Sequence, residues 1–116
     1  MLRVLLDQNF DHRILYGLMR RIPELDYLTA HQAGWGELDD FDLLIEAGNE
    51  QRVLFTHDLQ TMPQHVASVI ASGHDVAGVF VVPRNLSFEQ AINELELIVM
   101  CSSESEWINS YRILPL

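Results

Sequence analysis

The chain of 116 residues contains no lysine; its seven cations are all arginines, set against seventeen acidic residues, for a net charge of −10. That absence excludes a Walker-type phosphate loop, Schiff-base catalysis, acyl transfer by a Ser-x-x-Lys pair, and a phospho-acceptor receiver domain, which needs a lysine. Cys101 is the only cysteine, so no intrachain disulfide forms and a reducing compartment is expected. With a single thiol, and with His12, His31, His57, His65 and His74 in no paired spacing, no sequence-local zinc motif exists. The GWG at 34–36 is too little glycine for a dinucleotide fingerprint, and no G-x-S-x-G elbow occurs. Long apolar runs are lacking too. The first, Val4 to Leu6, is cut by Asp7 and is too short for a signal peptide or a membrane span, so a cytoplasmic protein is expected. The acidic balance argues against a sequence-blind nucleic-acid binder, whose surface must neutralise phosphate; acids gathered at a metal site, or a basic partner, would reconcile it with work on nucleic acid.

What is present is ordinary for a folded domain: 48% apolar and 21% charged residues. A chain this long buries roughly two-thirds of the surface it exposes when unfolded. No repeat, linker or low-complexity tract divides it, so residues 1–116 are expected to form one domain. Short branched runs alternate with stretches of helical period. Strands are predicted at Arg3–Leu6, Leu25–Ala30, Arg52–Thr56 and Ala77–Val82, with a closing strand at Tyr111–Leu114. Helices are predicted between them. The first runs over Asn9–Ile22 and is stopped by Pro23; the second runs over Asp40–Glu50, opened by Asp39 or Asp40. The third lies between Pro63 and Gly73 with Val66, Val69 and Ile70 facing inward. The fourth starts at a Ser87/Gln90 capping box, with a stripe of Phe88, Ala91, Ile92, Leu95, Ile98 and Val99. Strands alternating with helices imply right-handed crossovers, hence an α/β fold: a three-layer α/β/α sandwich around a mainly parallel sheet.

In such sheets ligands bind beyond the carboxyl ends of the strands. Asp7, Gln8 and Asn9 follow the first strand, Thr56, His57 and Asp58 end the third, and Arg84 and Asn85 follow the fourth. Asp7 and Asp58 therefore leave the same sheet edge, and Asp40 joins them from the head of the second helix. Carboxylates gathered in this way repel one another unless a hard cation lies between them, and Mg²⁺ suits one or two carboxylates plus substrate phosphate. Such an ion orients and ionises water and stabilises charge on a phosphate under in-line attack.

The ordered set LLDQN, GELDDFDLLIEA, RVLFTHD and GVFVV, spread over residues 2 to about 100, resembles the PIN-like nucleases, specifically the short branch found as toxins of toxin–antitoxin pairs. That resemblance implies a PIN-like fold and divalent-metal-dependent cleavage of RNA phosphodiesters. It places Mg²⁺ or Mn²⁺ ligands at Asp7, Asp40 and Asp58, and a positioning hydroxyl at Thr56 of the Thr-x-Asp turn. It also implies an antitoxin-like partner encoded nearby, whose basic segment would complement this acidic surface. The sequence fixes no oligomeric state and allows a homodimer. One departure stands out: Gln60 occupies a position where such sites commonly carry a further acid, which places a second metal and full nuclease strength in doubt.

Each residue also has a plain reading. Asp7 can cap the helix near Asn9, Asp58 can form a turn, and Asp40 can be an N-cap. Asp39 and Asp42 read as solvated helix residues, Arg84 as surface or as a phosphate contact, and Trp35 as packing against the domain or as a contact to a base or a partner. Two other functions compete with the nuclease. One is a catalytically weak PIN-like binding module held by a partner, suggested by Gln60 and the net charge. The other is a phosphatase-like hydrolase with its nucleophile after the first strand, which lacks the second aspartate (Asn9 stands there) and the lysine that chemistry uses.

Overall fold

The structure is a computed structural model and describes residues 1–116. Five strands, β1 (Val4–Leu6), β2 (Tyr27–Thr29), β3 (Val53–Thr56), β4 (Val79–Val81) and β5 (Tyr111–Ile113), alternate with four helices, α1 (His12–Arg21), α2 (Asp40–Asn49), α3 (Met62–Ala71) and α4 (Phe88–Cys101). All pairings are parallel, in the order β2-β1-β3-β4-β5. The fold is a three-layer α/β/α sandwich, and its sheet is wholly parallel.

The alternation of side chains along each strand builds the two outer layers. Val4 and Leu6 of β1, Val53 and Phe55 of β3, and Phe80 of β4 share one core with Ile14 and Leu18 of α1 and Leu95 and Val99 of α4. Their neighbours Leu5, Leu54, Val79 and Val81 face the other way, onto Leu43 and Leu44 of α2 and Met62, Val66 and Val69 of α3. Because both sheet faces are covered, β1, β3 and β4 carry almost nothing but apolar side chains. The chain moves outward from β1 to β2 and then returns to lay β3 on the other side of β1. The order of strands reverses at that β1/β3 boundary, where neighbouring loops diverge and leave a crevice.

Several boundaries differ from those the sequence suggests. α1 starts at His12 instead of Asn9, because residues 7–10 close a turn (Phe10 N–H to Asp7 O, 3.0 Å) and Asp11 is the N-cap, accepting from Arg13 N–H at 2.9 Å. In α3 the inward stripe is Met62, Val66 and Val69, while Ile70, one position past Val69, falls on the exposed rim. Ser87 caps α4 by accepting from Gln90 N–H at 3.1 Å, but the Gln90 side chain makes no return bond. The reciprocal box occurs instead at Ser103 and Glu106 of the short 3₁₀ turn. Phe88 stays exposed at the head of α4. No helix is long and apolar enough to cross a membrane.

The amino end of the sheet is fastened by Arg52, only 6% exposed. Its guanidinium donates to Val4 O (3.1 Å) and Asp26 O (3.4 Å) and pairs with the Asp26 carboxylate at 2.9 Å, tying β1, β2 and β3 together. Asp26 thus precedes β2 instead of lying within it. Arg52→Met, which keeps the apolar stem and leaves these acceptors without their charged donor, should lower unfolding free energy by about 1.5–3 kcal/mol in urea titration.

Candidate active site

The register of the sheet builds the site. Leu6 pairs with Phe55, so the next residues on each chain, Asp7 and Thr56, emerge side by side from the carboxyl edge. The Asp7 backbone N–H still bonds Phe55 O at 3.1 Å, which fixes its position relative to β3. Thr56 is fully buried, and its hydroxyl donates to Asp7 Oδ2 at 2.8 Å while accepting from Asp58 N–H at 3.1 Å. One hydroxyl therefore holds both strand exits in place, and Asp7 Oδ1 is further held by Gln8 N–H at 2.8 Å. Asp7 caps no helix; Asp11 has that role.

Asp40 is also released from capping. Asp39 is the N-cap of α2, accepting from Asp42 N–H at 2.9 Å, so Asp40 opens the helix with its carboxylate free. Its one basic neighbour is the His65 imidazole on α3, 3.6 Å away, which pairs with it when the ring is protonated. Burial raises the Asp40 pKa first, and the Asp7 charge raises it further, with Asp58 and Asp39 contributing and His65 opposing. The rise at Asp40 is the electrostatic sign that Asp7 and Asp58 face the same cleft. That cleft, about 390 Å³, is lined by these three with Gln8, Thr56 and Arg84, and by Asn9, Leu38 and His57.

Asp58 is committed differently. Its Oδ1 accepts from Gln60 N–H and Thr61 N–H, both at 3.0 Å, and its Oδ2 accepts from the Thr61 hydroxyl. Burial pushes its pKa up, but the donors of Thr61 and Gln60 outweigh it and hold the carboxyl below its usual value. The turn-forming reading of Asp58 is therefore realised in full, within the same cleft. In keeping with this, no three carboxylates, imidazoles or thiols form a ready-made set of metal ligands. Gln60 is exposed and does not line the cleft.

His57 has a role that its position in the sequence does not announce. Its ring stacks on Phe10 (4.6 Å between centroids, 7° between planes). Its Nε2 accepts from Asp11 N–H at 3.1 Å, so Nδ1 carries the proton and donates to Val82 O at 2.8 Å. The neutral ring thus bolts together the exits of β3 and β4 and the head of α1. Burial lowers its pKa, the Val82 carbonyl opposes this, and Arg84 lowers it further. His65 and Tyr111 were likewise absent from the sequence-derived site. His65 reaches Asp40 only through the α2/α3 packing, and Tyr111 carries a buried hydroxyl with no partner, its pKa raised by burial and then by the Asp58 charge. Trp35 packs against the α2/α3 core, as expected.

Because His57 binds its proton less readily folded than unfolded, protonation favours the unfolded chain. Its contribution to stability is complete above the unfolded pKa near 6.5 and is lost as pH falls toward the lower folded value. Denaturant titrations from pH 7.5 to 5 should show stability dropping on the acid side. In His57→Gln the whole curve should lie lower, with that acid-side slope flattened.

No model of a known protein family matches the chain, and no curated protein or solved structure matches it.

Proposed function

We propose that the cleft is the active site of a divalent-metal-dependent endoribonuclease of PIN-like type. The observation that carries this reading is the convergence of Asp7, Asp40 and Asp58 at the β1/β3 crossover, where Asp40 is held ionisable but strained by its acidic neighbours. A part-buried carboxylate facing two other acids, with no arginine paired to it, is costly unless a cation shares the space, and Asp40 is in that position. The donors are hard oxygens, as Mg²⁺ or Mn²⁺ requires, and a magnesium ion is commonly held by one or two carboxylates with waters and phosphate oxygens completing the shell. Asp7 and Asp40 are the two whose lone pairs are free enough to hold it, with Asp58 reaching it through water while holding the turn before α3. When bound, such an ion supplies an ionised water and stabilises charge on the phosphate.

The chain's own residues do the rest. Thr56 fixes the direction of the Asp7 carboxylate through its hydrogen bond, as outer-shell partners orient metal ligands. His65 holds Asp40 against α3. Arg84, on the cleft rim, offers a positive charge to a phosphate oxygen that would otherwise meet only acids. The net −10 fits a basic partner segment of antitoxin type, which would bind the acidic face by charge complementarity.

A second reading draws on the hydrogen bonds of Asp58. With three hydrogen bonds accepted by Asp58 from the turn before α3, and with Gln60 outside the cleft lining, the cleft has fewer free ligands than a strong nuclease uses. The same fold would then be a binding module held by its partner, with catalysis weak or lost.

Metal binding separates the two. Ionised Asp40 binds its proton more tightly folded than unfolded, so its charge costs stability at every pH above about 3.8, and removing it is stabilising. Asp40→Asn should therefore raise the melting temperature of the metal-free protein. Millimolar Mn²⁺ should raise that of the wild type by mass action but not that of Asp40→Asn or Asp7→Asn. No shift in the wild type favours the binding module.

Cleavage is the second measurement. A labelled single-stranded RNA should be cut with Mn²⁺, with the rate falling about a hundredfold or more with EDTA or in Asp7→Asn. Cleavage that survives both treatments would remove Asp7 and metal from the chemistry.

A further inference from the structure

Beside the acid cleft lies a second depression, lined by Arg13, Ile14, Pro83 and Phe88 and sharing His57 and Arg84 with the first. The two adjoin through these shared side chains at the carboxyl edge of the sheet, the first acidic, the second cationic and aromatic. The distribution of arginines sets this end apart. Arg3 and Arg52 are bound to Asp26 at the opposite edge, Arg21 is paired with Glu96, Arg20 lies in the last turn of α1, and Arg112 lies against Trp107 beside the edge strand. Only Arg13 and Arg84 stand at the groove.

They stand there differently. Arg84 is exposed, has no ion-pair partner, and makes a single bond, to Asn9 O at 3.3 Å. It is the unspent cation where the two depressions meet. Arg13 is spent on Asp11 in a two-pronged contact, Nε to Oδ1 at 3.1 Å and Nη2 to Oδ2 at 2.8 Å. That fork fixes the plane of its guanidinium, whose carbon lies 4.5 Å from the centre of the Phe88 ring. Phe88 remains 42% exposed and the Arg13 side chain 73%. A lone exposed phenylalanine signals nothing, since much of any protein surface is apolar. Here the ring is locked under a cation in a recess that adjoins the acid cleft, beside an unpaired arginine. Flat, rigid aromatic and guanidinium surfaces next to a free positive charge match a nucleotide whose base is unstacked, and do not match a duplex, whose bases are covered.

We propose that this second depression is a nucleotide subsite for single-stranded RNA, in which Arg84 contacts the phosphate at the boundary and the Phe88–Arg13 stack receives the adjacent base. This rests on the nuclease reading of the neighbouring cleft and adds to it a substrate class: an unpaired strand laid across the sheet edge, and no preference for a helix. Little sequence selectivity is expected, because every base offers a π face and the recess presents few groups that read base edges.

The test separates the subsite from the nuclease. In the Asp7→Asn protein, which binds without the cleavage the first reading assigns to Asp7, the affinity for a labelled oligouridylate of about eight nucleotides is measured by anisotropy at several low salt concentrations, beside an RNA duplex. Adding Phe88→Ala should weaken single-strand binding about fivefold or more and leave duplex binding unchanged. Adding Arg84→Ala should weaken it and lower the salt dependence by about one phosphate contact. Adding Arg20→Ala, at the far end of α1, should change neither. Both groove side chains are exposed, so melting temperatures should hold and a loss of binding is not a loss of fold. The proposal is overturned if the single strand does not bind, if Phe88→Ala has no effect or weakens duplex equally, or if Arg20→Ala matches Arg84→Ala. Should the wild type fail to cut RNA while this pattern of binding appears, the nuclease reading falls and the subsite stands.

Discussion

The hydroxyl of Thr56 is the contact on which the site depends. It sits at the last residue of β3 with no exposure to solvent, and it has a proton for Asp7 and a lone pair for the amide of Asp58. A residue with only a donor or only an acceptor there would hold one exit and leave the other without that partner, at the cost of a hydrogen bond. Threonine supplies both, and its β-branched stem still suits a strand. The spacing of Asp7 from Asp58 is therefore set by one atom, itself held by the β1–β3 register.

The molecule divides its polar work between the two ends of the sheet. At the amino end, Arg52 and Asp26 neutralise each other and satisfy strand carbonyls, a stabilising arrangement that leaves little charge uncompensated. At the carboxyl end the balance differs: Asp40 is part-buried and crowded by other acids, Asp58 is held by the turn before α3, and His57 is kept neutral by burial and fixed in one tautomer by two backbone partners. The charge left poorly compensated at this edge is that of Asp40, above an apolar sheet. His57 matters here as a brace. By bonding Asp11 N–H and Val82 O, it fixes the boundary shared by the acidic cleft and the Arg13–Phe88 depression.

The double use of Asp58 explains why residue type alone was ambiguous. A Thr-x-Asp turn reads equally well as a ligand or as a turn-former, and the structure makes it a turn-former that also faces the cleft. Asp40 resolved in the other direction. Two adjacent aspartates at a helix head compete for one cap, and which of them wins is a matter of a single dihedral step. Asp39 wins, which leaves Asp40 to the cleft. Ile70 and Phe88 belong to the same class of ambiguity. Helical period marks them as inward, but Phe88, at the first position of α4, lies outside the core under the Arg13 guanidinium, and Ile70 lies past the edge of its stripe.

The amino-acid sequence by itself determined the order of elements, the two-sided burial of β1, β3 and β4, and the sheet edge at which Asp7, Thr56 and Asp58 emerge. These follow from hydrophobic period and from breaker residues such as Pro23 and Pro83, which act locally. Tertiary structure alone decided that β1 and β3 are neighbours, that Asp40 meets His65 across two packed helices, and that Arg13 lies over Phe88 from another helix. Each of these joins residues far apart in the chain, and such contacts are set by how whole layers stack, a property that no short window of sequence contains.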